Sequence, residues 1–308
     1  MKILVLGSGA GGGFPQWNCN CRLCAGQRTG EVRASPRTQS SIAVSANGDD
    51  WVLLNASPDI GAQLRASKAL HPRPRHGVRH SPIQAVVLMD SQIDHVAGLL
   101  SLREGQRLQL YCTPESYEDL TGSLPLLKAL DKYCGVTWHP MPLEPGGGAW
   151  HEIAGLRLQA VPVPGKAPPY SPRRQTEARS DNAAVLIEDP ATGKRVLYAP
   201  GLAQVGDAER KSLDACDCVL VDGTFWTEDE MLTAGLGTKR AADMGHLPQC
   251  DGPHGPGMLK ALDACAAKRK VLIHINNSNP ILDEDSAERA ELTRRGIEVA
   301  FDGMELEI

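Results

Sequence analysis

Three groups of residues in this sequence are of types and spacings that could carry chemistry. In WNCNCRLC, Cys19, Cys21 and Cys24 converge within one short hydrophilic stretch. Closely spaced soft sulfurs suit a zinc ion in a closed, structural site, and the energy of such a site counts as folding energy. In LMDSQIDHVAGLL, Asp94 and His95 stand where an apolar run gives way to helical spacing, and in VLIHINNSNP His274 also ends an apolar run. A carboxylate and two imidazoles at strand ends form a metal-ligand set, because ligands gather at the carboxyl ends of strands in open α/β sheets. The alternative for Asp94 is a helix cap. His246, in DMGHLP, lies between small residues and proline and reads as a ligand, an acid or base, or a plain loop histidine.

The elements that would position these residues follow from pattern. KILVLG is a buried strand running into a glycine loop. SSIAVSANGDDWVLLNAS is a hairpin across Asn47-Gly48, the strongest short hairpin signal. QAVVLM is a continuous apolar strand, with a helix expected from about His95 to Arg103. PESYEDLTGSLPLLKALDKYC is helical in two pieces broken near Pro125. Strands recur at RLQLYC, LRLQAVPV, AAVLIED, RVLYAP, CDCVLVDG and KVLIHI, and helices at IGAQLRASKAL, GPGMLKALDACAA and EDSAERAELTRRG. Hairpins in each half with helices between them favour two packed sheets covered by helices over one parallel sheet.

The remaining motifs are read as structure. GSGAGGG matches a dinucleotide fingerprint in form, but GGGFPQWNCNC follows it and cannot start a helix, so it is a permissive turn toward the cysteines. The other six cysteines sit mostly among apolar neighbours and are read as buried thiols. His71, His76, His80, His139, His151 and His254 are read as solvated loop histidines. HPRPRHGVRHSP at 71–82 is a surface loop, and the irregular segment 162–180 is long enough to suggest a functional loop.

Bulk properties narrow the setting. A chain of 308 residues with 42% hydrophobic and 22% charged residues is an ordinary globular protein that can bury a substantial core. The net charge of −5 comes without a basic tract, which argues against a nucleic-acid partner. No apolar run is long enough for a bilayer and MKILVLGSG lacks a long h-region, so neither membrane nor secretion is expected and the location is read as cytoplasmic.

The strings GSGAGGGFPQWNCNCRLC, RTQSSIAVS, NASPDI, DSQIDHVAGLL, VDGTFW, MGHLP and HINNSNPIL together resemble the pyrroloquinoline quinone (PQQ) biosynthesis protein B family of the metallo-β-lactamase superfamily. The resemblance covers essentially the whole chain. It implies a single α/β domain over residues 1–308, a metallo-β-lactamase αββα sandwich of two mixed sheets flanked by helices, with a zinc-binding loop at about 14–26. It also implies a cytoplasmic enzyme of PQQ synthesis: an iron-dependent oxygenase using O2, which hydroxylates the tyrosine ring of a small Glu-Tyr cross-linked intermediate derived from the PqqA peptide. An older reading of the family is a PQQ carrier involved in transport. A third, by likeness to the phosphodiesterase PhnP, is a metal-dependent hydrolase.

Against the superfamily pattern His-x-His-x-Asp-His, the aligned residues here are Asp90, Gln92, Asp94 and His95. The usual later histidine falls in VPVPGKAPP, which has none, and the usual bridging aspartate near LYAPGL, at Tyr198 or its neighbours. A two-metal hydrolytic clamp lacks most of its groups. Asp94, His95 and His274 remain, the composition of open non-haem iron(II) sites. Asp90 and Gln92 are then expected to complete coordination, to hydrogen-bond a metal-bound water or the ligand imidazoles, or to hold substrate. Arg173, Arg174 and Arg179 are candidate partners for an acidic, tyrosine-derived substrate or for PQQ. In PhnP the fourth zinc ligand is a histidine three residues after the terminal catalytic one. Here that position is Asn277, so the fourth ligand is Asn277 or water. A homodimer is left open.

Overall fold

The computed structural model of the chain describes residues 1–175, 181–253 and 255–308. Among these described residues, fourteen strands form two seven-stranded sheets. The first sheet contains β1 (Lys2–Gly7), β2 (Ser41–Ser45), β3 (Trp51–Leu54), β4 (Ile83–Val87), β5 (Leu108–Cys112), β6 (Val136–Pro140) and, from the end of the chain, β14 (Glu305–Glu307). The second contains β7 (His151–Ile153), β8 (Leu156–Pro162), β9 (Ala183–Asp189), β10 (Lys194–Ala199), β11 (Cys218–Asp222), β12 (Arg269–Ile273) and β13 (Ile297–Val299). Strand order is β14-β1-β2-β3-β4-β5-β6 in one and β13-β12-β11-β10-β9-β8-β7 in the other.

Alternation along the strands builds the layers, because successive side chains point to opposite faces. Ile3 and Val5 of β1 join Cys218 and Leu220 of β11 in the core between the sheets. Leu4 and Leu6 turn outward under the helices Ile60–Ala66 and Pro114–Thr121, while Val219 and Val221 turn outward under Asp207–Asp214 and Met258–Ala264. Each fully buried aliphatic side chain of this kind stabilises the fold by roughly 1.5–3 kcal/mol. The result is the αββα sandwich. The Asn47-Gly48 hairpin forms as expected, with Ile42 opposite Leu54 and Gly48 at φ +78°.

Several expectations need correction. Arg22–Thr29 is a helix that ends on Gly30 at φ +78°, so the cysteine segment is loop only as far as Cys21. Its inward face is Leu23, Cys24 and Gly26, which the polar residues around it obscure in the sequence. The helix after β4 is one turn, Ile93–Val96, and continues as the tighter 3-10 segment Ala97–Leu102. His139 and His151 are strand residues, not loop residues: both pack on Tyr111, with ring centroids 4.3 and 5.6 Å away. His254 and Arg179 lie outside the described residues.

The two sheets are stitched by backbone where the functional residues lie. Ala10 N–H donates to the Ile275 carbonyl (2.8 Å), Ile275 N–H to the Ser8 carbonyl (2.9 Å), and Ala183 N–H to the Met89 carbonyl (2.8 Å). Inside the first sheet, Asn55 takes a left-handed conformation, φ +61°, which asparagine tolerates better than most residues. From there it receives the Met89 N–H on its side-chain oxygen at 3.0 Å. The next residue, Ala56, donates to the His95 carbonyl and accepts from Gly98 N–H. The turn bearing Asp94 and His95 is therefore clamped to the end of β3.

Gly98 makes that clamp possible. A Cβ there would collide with the Ser57 carbonyl oxygen and sit 2.7 Å from that of Ala56. Backbone cannot give way as a flexible side chain can, so Gly98→Ala should destabilise the protein by about 3 kcal/mol. It should also displace Asp94 and His95. Denaturant melts and metal titrations of the variant measure both effects; wild-type values would show that the turn adjusts freely.

Candidate metal centre

Asp90, Asp94 and His95 follow β4, Asp222 ends β11, and His274 follows β12, so both sheets deliver their carboxyl ends to one place. His246 arrives from a loop after the helix Ala241–Met244. The ligating atoms of Asp94, His95 and His274 all lie within 4.8 Å of one another. His274 Nε2 is 3.2 Å from Asp94 Oδ2, and His95 Nε2 is 3.9 Å from the same oxygen. Metal–ligand bonds of about 2.0–2.2 Å put neighbouring donors at such separations. His274 holds φ +61°, an uncommon conformation for a non-glycine residue that persists where surrounding structure imposes it. On the glycine-loop side, a Cβ at Gly11 would be 3.3 Å from Asp94 Oδ2, so glycine lets the loop lie against the carboxylate.

Each imidazole is anchored from behind. His95 Nδ1 is 2.8 Å from Asp90 Oδ1, and His246 Nδ1 is 2.7 Å from Asp222 Oδ2. His274 Nδ1 is 2.9 Å from Thr224 Oγ1. His95 Nε2, by contrast, is buried without a hydrogen-bond partner. Buried polar atoms are nearly always satisfied. An orphan nitrogen facing a carboxylate and a second imidazole fits the role of a metal ligand.

Charge coupling in the cluster is strong. Burial would raise the Asp94 pKa, but the His95 and His274 imidazoles outweigh it and hold the carboxyl well below the usual range. Burial would lower that of His95, yet Asp90 and Asp94 outweigh it and raise it to about 9. The Asp222–His246 pair shows the same reciprocity, the carboxyl shifted down and the imidazole up against the effect of burial.

Asp222, His246 and His274 also lie close enough to suggest a second metal position. Hydrogen bonding argues against it. Asp222 Oδ1 accepts from Thr224 N–H (2.9 Å) and Thr224 O–H (2.6 Å), and Oδ2 accepts from Leu202 N–H (2.9 Å) and His246 (2.7 Å). A fully buried carboxylate with four donors has no lone pair to spare for a cation. It serves instead as the orienting partner of His246.

The cysteine sulfurs of residues 19, 21 and 24 also lie within 4.8 Å of one another. Cys24 Sγ accepts from Asn277 Nδ2 at 3.3 Å, and Cys21 Sγ is 3.8 Å from the Asn277 carbonyl oxygen. Asn277 is thus beside the cluster, three residues beyond His274. Arg28 donates to the carbonyls of Cys19 and Gln16 and pins the loop. Burial opposes ionisation of Cys19, but hydrogen bonds from Cys21, Cys24 and Asn277 outweigh it and lower its pKa.

Some sequence candidates are elsewhere. Gln92 is not among the grouped ligand atoms and donates its side-chain amide to the Lys166 carbonyl at 3.2 Å. Arg173 is committed to Asp181 (2.7 Å), Asp119 (2.9 Å) and Glu118 (3.1 Å), and Arg174 to the Ala167 carbonyl, so both hold the loop together. Tyr198 is buried between the sheets, 3.2 Å from Ser40 Oγ. Asp222 and Thr224 were missed, although VDGTFW repeats the pattern of an apolar strand ending in aspartate that marks LMD.

Comparison with known proteins identifies the family. The family model described as the Beta-lactamase superfamily domain matches residues 50–275. Coenzyme PQQ synthesis protein B of Nitrosococcus oceani is 54% identical over 312 residues, covering 99% of each chain. The crystal structure of Zn2+-bound PqqB from Methylobacterium extorquens superposes with a TM-score of 0.88 at 40% identity, covering 100% of each chain. A diphosphatase from the PhnP family reaches a TM-score of 0.68 at 20% identity, covering 100% of this chain and 96% of that one, which is a likeness of fold alone. The chain belongs to the coenzyme PQQ synthesis protein B family of the β-lactamase superfamily.

Proposed function

We propose that this protein acts in PQQ biosynthesis as an iron-dependent oxygenase that hydroxylates the tyrosine ring of a small, acidic Glu-Tyr cross-linked intermediate. The names of its relatives support the pathway. The unpartnered, buried His95 Nε2 facing Asp94 and His274 carries the chemistry. One carboxylate and two imidazoles suit iron(II), which when bound supplies redox activation of O2. Asp94, His95 and His274 hold the ion. Asp90 fixes the tautomer and direction of His95 rather than ligating. His246, braced by Asp222, keeps Nε2 available to take a proton from a phenolic hydroxyl.

Cys19, Cys21 and Cys24 hold a separate structural zinc, with Asn277 as fourth ligand if its amide turns to present oxygen. Arg179 remains a candidate partner for substrate carboxylates. The reaction takes place in the cytoplasm; no helix among the described residues is long and apolar enough to cross a membrane. A hydrolytic reading loses ground because Asp222 is saturated. A carrier reading leaves the ligand arrangement without a purpose.

Anaerobic loading with iron(II), followed by oxygen uptake in the presence of the cross-linked substrate, tests the activity. His95→Ala should lose iron and more than about 99% of turnover while keeping its zinc. Turnover without iron would refute the assignment. Cys21→Ser should lose zinc and melt at lower temperature, since structural zinc contributes roughly 10–16 kcal/mol in small zinc domains. Wild-type zinc content in the soluble variant would count against the cysteine site.

In the metal-free protein His95 keeps its proton to about pH 9, and an incoming cation must displace that proton. Apparent affinity for a divalent ion should therefore rise by about tenfold per pH unit above pH 7 and level off near 9. Cobalt(II) titrations at several pH values provide the measurement, and a flat profile would contradict the coupling.

A further inference from the structure

Thr224 has a single hydroxyl with four close polar neighbours. Its Oγ1 lies 2.6 Å from Asp222 Oδ1, 2.9 Å from His274 Nδ1, 2.9 Å from the His274 carbonyl oxygen and 3.1 Å from His246 Nδ1. A hydroxyl carries one proton to donate and two lone pairs to accept with. The proton goes to Asp222, because a carboxylate is the strongest acceptor present and 2.6 Å is the length of an O–H bond to an anion. Thr224 can then meet His274 Nδ1 only as an acceptor, which requires the His274 proton to sit on Nδ1. His246 reaches the same condition separately, donating its Nδ1 proton to Asp222 Oδ2.

On the reading that Asp94, His95 and His274 hold a metal, we propose that Thr224 is the positioning residue that sets the tautomer of His274. It keeps the proton on Nδ1 and turns the Nε2 lone pair toward Asp94. His274 Nε2 and Asp94 Oδ2 are then two acceptors facing each other across 3.2 Å, a contact that a cation between them makes favourable. The His274 carbonyl oxygen, also 2.9 Å from Thr224 Oγ1, is a competing acceptor for the same proton and a weaker one than the Asp222 carboxylate. Thr224 is buried, and neither composition nor spacing marks it as functional.

The test uses protein whose cysteine cluster already holds zinc, titrated with cobalt(II) alone and followed by visible absorption. Thr224→Val matches the shape but lacks the hydroxyl, and should weaken cobalt binding by about 10–100-fold, the usual effect of losing such a partner. Thr224→Ser keeps the hydroxyl and should bind as the wild type does; a merely structural role for the side chain would not sort the two variants by the hydroxyl. A valine variant that binds cobalt as tightly as wild type overturns the role of Thr224. A wild-type protein that takes up no second metal overturns the metal-site reading beneath it, so the two failures are distinct. Ring 15N resonances of His274 in the wild type, with diamagnetic zinc as the second metal, give a readout that needs no folded variant. The proton should be on Nδ1, and a proton on Nε2 refutes the proposal.

Discussion

Ser8 and Ala10 leave β1 of the first sheet and exchange hydrogen bonds with Ile275, just beyond β12 of the second. Everything at the candidate centre depends on that short parallel bridge. Asp94 and His95 belong to one sheet and His274 to the other, so the distances among them are distances between sheets. Side-chain packing across a sandwich sets such separations loosely, with core side chains interdigitating over about 10 Å. A backbone hydrogen bond beside the ligand fixes them to a few tenths of an ångström. The glycines of GSGAGGG make the approach possible, since Gly11 has Asp94 where a side chain would go. The motif that imitates a dinucleotide fingerprint is a hinge plate for two sheets.

A second layer of control lies behind the first. The three imidazoles are held through Nδ1 by Asp90, Thr224 and Asp222, and each of those groups comes from a strand end or the turn that follows it. This is why an aspartate suits position 90. With Asp90 bonded to the back of His95, the carboxylate fixes the direction of that imidazole. The saturated hydrogen bonding of Asp222 has the same effect on the other side, where it braces His246.

Much of this was legible in the sequence, and the limits have physical reasons. Apolar runs ending in Asp, His or Gly located the strand ends, and Asn47-Gly48 located a hairpin, because both signals are local. Asp94, His95 and His274 could be grouped because strand ends converge in sheets of this kind. Thr224 could not, since its importance lies in distances to three residues as far as 50 positions away. Arg173 and Arg174 looked like ligand-binding groups because a sequence shows charge and hides partners. Arg173 spends its charge on Glu118, Asp119 and Asp181. The helix Arg22–Thr29 was hidden by its small buried face, only Leu23, Cys24 and Gly26.

The different anchors of the two ligand imidazoles make them unequal as electron donors. His95 gives its Nδ1 proton to a carboxylate, which pushes electron density into the ring and strengthens the lone pair at Nε2. His274 gives its proton to a neutral hydroxyl whose own proton is drawn away by Asp222, a weaker push. A cation held by Asp94, His95 and His274 would therefore meet two unequal nitrogens, the His95 side being the stronger donor before any substrate enters.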